Sequence, residues 1–151
     1  MGKLAFWFVA LGLGAVVAFH LYWAGGGRRG ADAVIPRRPR AQGGAPLFAP
    51  SPLGTLLVAM FLAGVLGLAG VVQHGADVML PWAWTRGMLA ACGLVFVARA
   101  IGEFRYVGFF KRVKDSPFAY WDTRLFSPFI LVVGIACLLI AANAEFGVIT
   151  G

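Results

Sequence analysis

The sequence predicts an all-α integral membrane protein, a four-helix bundle with an interfacial amphipathic helix between its third and fourth spans. Three observations carry that expectation. Of 151 residues, 60% are hydrophobic and 13% charged, and the mean hydropathy is +0.83; this leaves too little polar surface for an ordinary water-soluble domain. Four stretches approach the roughly 20 apolar residues that a helix needs to cross a bilayer's hydrocarbon core: Leu4 to Trp23, Leu53 to Val72, Trp82 to Ile101 and Ser127 to Ala144. The basic residues, finally, are gathered into alternate connections. Because the spans occupy most of the chain, residues 1–151 read as a single transmembrane domain without a separate soluble part.

The first span begins after Lys3 and could imitate a secretory leader. Cleavage after Ala24 would place bulky Tyr22 where signal peptidase requires a small residue, and the arginines that follow oppose export. A membrane span is expected instead, ended by the glycines at 25–27. The second and fourth spans are expected to start at Ser51-Pro52 and Ser127-Pro128. A serine at the N-cap accepts a bond from an otherwise unpaired N–H, and proline at the first helical position loses nothing by lacking its own. The matched starts hint at a duplicated two-helix unit, although the rest of the two halves barely aligns. Gly12 and Gly14 in the first span, and Gly64, Gly67 and Gly70 in the second, predict close helix approach. Trp7, Tyr22, Trp23, Trp82 and Trp84 lie near span ends as interfacial anchors. Cys92 and Cys137 lack the spacing of a metal knuckle or redox pair and read as small packing residues.

Orientation follows from the positive-inside bias. The first connection carries Arg28, Arg29, Arg37, Arg38 and Arg40, and the third region carries Arg99, Arg105, Lys111, Arg112, Lys114 and Arg124, eleven of the 13 basic residues. Only Lys3 and Arg86 belong to the other side. Both termini are therefore expected outside a bacterial plasma membrane, with the long basic loops in the cytoplasm. Anionic lipid headgroups are the expected partners of these cations, each worth about 1 kcal/mol near a charged surface. A nucleic-acid partner is not expected, because topology already accounts for the arginines and no nucleic-acid motif accompanies them.

Residues 99–128 are the densest unusual stretch, alternating aromatic and charged side chains. Tyr106, Phe109, Phe110 and Val113 follow helical spacing and predict an apolar stripe lying in the headgroup region, with Lys111, Arg112 and Lys114 facing lipid phosphates. Arg99 and Glu103, four residues apart at the cytoplasmic end of span three, predict an ion pair that would relieve the cost of charge near hydrocarbon. His20 lies near the same face in span one, and Asp122 and Arg124 approach it ahead of span four. An up-and-down bundle would bring His20, Tyr22, Trp23, Arg99, Glu103, Arg105, Tyr106, Asp122 and Arg124 to one level. No cofactor is expected. His74 falls at the opposite face from His20, so the two cannot share a haem within one chain, and His20 has no second metal ligand near it in sequence.

The runs His20 to Gly26, Arg99 to Val113 (RAIGEFRYVGFFKRV) and Asp122 to Pro128 (DTRLFSP) resemble an uncharacterised bacterial family, domain of unknown function 3995. The resemblance spans nearly the whole chain. Glu103 stands where Asp is expected, and Phe126 where Tyr is commoner. The resemblance implies a small bacterial four-span membrane protein; it supplies no activity, and its motifs coincide with the polar residues singled out above. Three functions then compete. The first is a non-enzymatic protein that binds a lipid, a hydrophobic ligand or a membrane partner, a homo-oligomer included. The second is an enzyme using His20 with Glu103 or Asp122 for proton transfer on a lipid-like substrate. The third is a subunit of an oligomeric carrier or channel, for which the apolar middles of the spans offer little.

Overall fold

A computed structural model describes residues 2–76 and 78–144. Helix α1 spans Gly2–Ala24, α2 Ala31–Val34, α3 Pro52–His74, α4 Trp82–Ile101, α5 Pro117–Trp121 and α6 Ser127–Asn143; a π-helical turn, Asp122–Phe126, joins α5 to α6. There is no β-strand among the described residues, only an isolated bridge between Arg37 and Pro46. Four helices are long and apolar enough to cross a membrane, the last running continuously from Pro117 to Asn143.

The bundle is assembled chiefly from the pairs α4–α6 and α1–α3, with α1 also packing on α6. Its core is a seam of Val9, Leu13, Val65, Ala69, Val72, Leu89, Phe96, Val133, Cys137 and Ile140. The outward faces are equally apolar: Leu11 is 72% exposed and Leu94 60%. Lipid is as apolar as these side chains, so burying them gives the helices little reason to associate, and close van der Waals fit must hold them together. Backbone meets backbone where α4 crosses α6. A Cβ on Gly93 would stand 2.9 Å from the Gly134 carbonyl oxygen, and one on Gly134 would stand 2.8 Å from that of Gly93. Of the glycines expected to mediate close approach, Gly12 does so, a Cβ there standing 2.8 Å from the Phe129 ring, and Gly70 lies beside Phe6, whereas Gly14, Gly64 and Gly67 have open space beside them. Cys137 is a core residue, as its small apolar character predicts.

Ser51 caps α3 as expected, its Oγ accepting the Gly54 N–H at 3.0 Å with Pro52 in the first turn. The fourth span departs from expectation. Its cap is Ser116, whose Oγ accepts the Ala119 N–H at 3.1 Å ahead of Pro117, and Ser127 lies inside a continuing helix. Pro128 has no N–H to donate, and its ring crowds the carbonyl four residues back. The chain accommodates it by widening the preceding turn, with the Ser127 N–H donating to the Asp122 carbonyl five residues earlier.

The interfacial helix predicted over Tyr106 to Val113 is not formed; residues 102–116 are turns and bends. Gly102 (φ 91°) and Gly108 (φ 89°) stop the helix and fold the chain back on itself. The helical spacing of the aromatic residues in this stretch is therefore not used. At the opposite end of the bundle Arg86 donates from Nε to the Ala141 carbonyl at 2.7 Å, placing a cation at the C-terminus of α6, where the helix dipole favours one.

Candidate functional site

The first and third connections meet at one end of the bundle. The Arg40 N–H donates to the Asp115 carboxylate at 2.8 Å, and α2 packs against α5. Beneath them lies a buried carboxylate. Asp122 has no solvent exposure; its Oδ1 accepts from Arg99 Nη2 at 2.9 Å, and its Oδ2 accepts from Lys111 Nζ at 3.0 Å and the Gly108 N–H at 2.8 Å. Lys111 is equally enclosed, its side chain 1% exposed. Its ammonium also donates to the Gly108 carbonyl at 2.9 Å and to Thr123 Oγ1 at 2.6 Å, so all three N–H groups are used. Thr123 in turn donates to the Ala119 carbonyl at 3.1 Å. A buried ion pair is tolerable only when its remaining donors and acceptors are satisfied, and around Lys111 they are.

The loop that delivers Lys111 to this carboxylate is tied at its neck by two glycines in backbone contact. A Cβ on either Gly102 or Gly108 would overlap the main chain of the other strand of the loop. The Phe109 N–H bonds the Ala100 carbonyl at 2.9 Å, closing the neck. Inside the loop Glu103 accepts the N–H groups of Arg105 (3.1 Å), Tyr106 and Val107 (3.1 Å). Glu103 is thus the knot of the turn and makes no pair with Arg99, contrary to the expected four-residue ion pair. The reason is the break at Gly102: once the helix ends there, Glu103 no longer shares a face with Arg99, and three consecutive amides lie within its reach.

The nine residues expected at one level divide into separate groups. Arg99 and Asp122 form the node, with Lys111 as its third member. Lys111 had been expected to face lipid phosphates; it is instead buried, because the loop turns it inward beside a carboxylate. Arg112 and Lys114 remain exposed. Arg105 lies over the Tyr106 ring at 5.2 Å, and Arg124 over the Tyr120 ring at 4.2 Å. His20, Tyr22 and Trp23 serve the end of α1. His20 Nδ1 bonds the Val16 carbonyl at 2.8 Å and its ring packs against Trp23. Trp23 Nε1 donates to the Arg29 carbonyl at 2.9 Å, and Tyr22 Oη accepts the Arg29 N–H at 3.3 Å, pinning the glycine–arginine turn. No hydrogen bond or ion pair among the described residues joins His20 to Glu103 or Asp122, both of whose carboxylates are already occupied. Sequence reasoning missed Gly102, Gly108 and Thr123; two glycines six residues apart, bracketing a carboxylate just after an apolar span, were the available signal.

Four membrane-length helices and a buried charged node at one end define a polytopic α-helical membrane protein. The chain belongs to the family described as "Protein of unknown function (DUF3995)", which it matches over residues 12–137, a range that includes the whole node and its loop. No curated protein and no solved structure matches the chain.

Proposed function

We propose that this is a non-enzymatic protein of a bacterial plasma membrane whose basic end, turned to the cytoplasm, binds anionic lipid headgroups. The observation that carries the reading is an imbalance of charge. Of the four carboxylates at that end, Asp32 pairs with Arg37, Glu103 holds backbone amides, Asp115 holds the Arg40 amide and Asp122 holds the node. Of the eleven cations there, only Arg37, Arg99 and Lys111 are in ion pairs, which leaves eight without one among the described residues. Eight such cations on a surface flanked by exposed Phe110, Tyr120 and Trp121 are suited to a headgroup layer.

The test is lipid retention. Protein extracted in mild detergent and analysed by native mass spectrometry should carry phosphatidylglycerol in preference to phosphatidylcholine. Replacing Arg112 and Lys114 together by glutamine should weaken that preference by about 30-fold, at about 1 kcal/mol per cation. Equal retention of the two lipids by the wild-type chain would refute the proposal. Topology is tested separately. A tag at either terminus should be accessible from outside the cell, given the eleven-to-two division of basic residues; accessibility only from the cytoplasm would reverse the assignment.

A further inference from the structure

The outward face of the helix that runs from Pro117 to Asn143 changes character along its length in the order of a phospholipid. At the basic end the Arg124 guanidinium lies 4.2 Å over the ring of Tyr120, which is 50% exposed, and Arg124 has no carboxylate partner among the described residues. Placement over a ring face restrains the guanidinium while leaving its edge, with the N–H fork, free to donate to two oxygens of a phosphate. Trp121, exposed as well, lies beside Tyr120 at the same end; next come exposed Leu125 and then Val132, Ile135 and Leu139. The opposite face of α6, through Val133, Gly134, Cys137 and Ile140, is buried in the bundle. From Leu125 to Leu139 the helix rises about 21 Å at 1.5 Å per residue, enough to line one leaflet of a hydrocarbon core about 30 Å thick.

The backbone beneath Arg124 is also held in place. Its neighbours Asp122 and Thr123 are both bonded to the buried Lys111, and Asp122 is further held by Arg99 and the Gly108 amide. A cation standing on a fixed turn loses less freedom on binding than one on a mobile loop. We infer that this face seats one anionic glycerophospholipid, its phosphate held by Arg124 on Tyr120 and an acyl chain lying along Leu125, Val132, Ile135 and Leu139. The inference rests on the reading of the basic end as a headgroup-binding surface and narrows it to one site.

Phosphatidylglycerol titrated into delipidated protein in detergent, followed by native mass spectrometry, tests both. The wild type should retain one lipid more tightly than the rest. Arg124→Gln should weaken that first lipid by about 10- to 100-fold, the scale of a charge-assisted hydrogen bond, and Arg124→Lys should not restore it, because an ammonium lacks the fork. Tyr120→Leu should weaken it by roughly 2- to 5-fold. Arg112→Gln should change it by no more than the roughly 5-fold of a general surface charge. Arg124 and Tyr120 are both exposed, so unaltered melting temperatures are expected and are measured alongside. If Arg124→Gln weakens the first lipid no more than Arg112→Gln does while the preference for anionic lipid persists, the site is overturned and the general reading stands. If the wild type shows no preference for phosphatidylglycerol, both fall.

Discussion

Replacing Asp122 by alanine is expected to destabilise the protein by about 3–5 kcal/mol, the range found when one partner of a buried ion pair is removed. The loss would leave Lys111 enclosed without a counter-charge and the Gly108 N–H without an acceptor, while Arg99 keeps partial access to water. Thermal unfolding in a fixed detergent, followed by fluorescence of the five tryptophans, measures it. Lys111→Met should be damaging for the converse reason. The double variant Asp122→Leu with Lys111→Met removes both charges and should be less destabilised than the sum of the singles, because the coupling between them is removed as a unit. Glu103→Gln should show no such coupling to Arg99, since the two make no pair. An Asp122→Ala protein within about 1 kcal/mol of wild type would mean that water reaches the node.

Gly102→Ala is the second large effect. With φ 91° and ψ 179° this residue occupies a region essentially restricted to glycine, at a cost of about 1–3 kcal/mol for other residues. A methyl group there would also overlap the Val107 carbonyl. The carbonyl cannot withdraw without disturbing the Gly108 amide that holds Asp122 and the Phe109–Ala100 bond that closes the neck. A combined loss of about 3 kcal/mol or more is expected, accompanied by faster trypsin cleavage after Arg105 and Arg112, which lie in the loop. Gly64→Ala provides the contrast. It lies within α3 with open space around it, so it should be neutral or stabilising by up to about 1 kcal/mol. Equal stability of Gly102→Ala and Gly64→Ala would show that the neck is not closed.

The spans were legible because bilayer thickness imposes a length on apolar runs, and that constraint acts on each segment alone. All four predicted spans lie within or largely overlap the observed helices. Pairings between distant parts of the chain were not legible. Ser116-Pro117 and Ser127-Pro128 carry the same local signal, and which of them begins a helix depends on whether the turn before Pro128 can widen, which the buried Asp122 favours by anchoring it. Arg99 and Glu103 have ion-pair spacing only if the helix continues, and Gly102 ends it. Lys111 lies between Phe110 and Arg112 in a basic run. Nothing in that composition marks it as the one lysine of the loop that turns inward, and only the glycine-tied neck brings it to Asp122. The fold was therefore readable from local hydropathy, whereas the node depends on a non-periodic loop closing on a helix that follows it in sequence.

The order of synthesis gives that node a further meaning. Arg99 and Lys111 leave the ribosome before Asp122 does, and both stay in reach of water until the last span arrives. The enclosure of Lys111 therefore waits for the last helix and is completed when the carboxylate meets the loop, while Arg99 keeps part of its access to water. A chain that ends before Asp122 lacks the carboxylate that pairs with Arg99 and Lys111 and accepts the Gly108 N–H. The node is therefore a contact that only the complete loop and the last helix together can make.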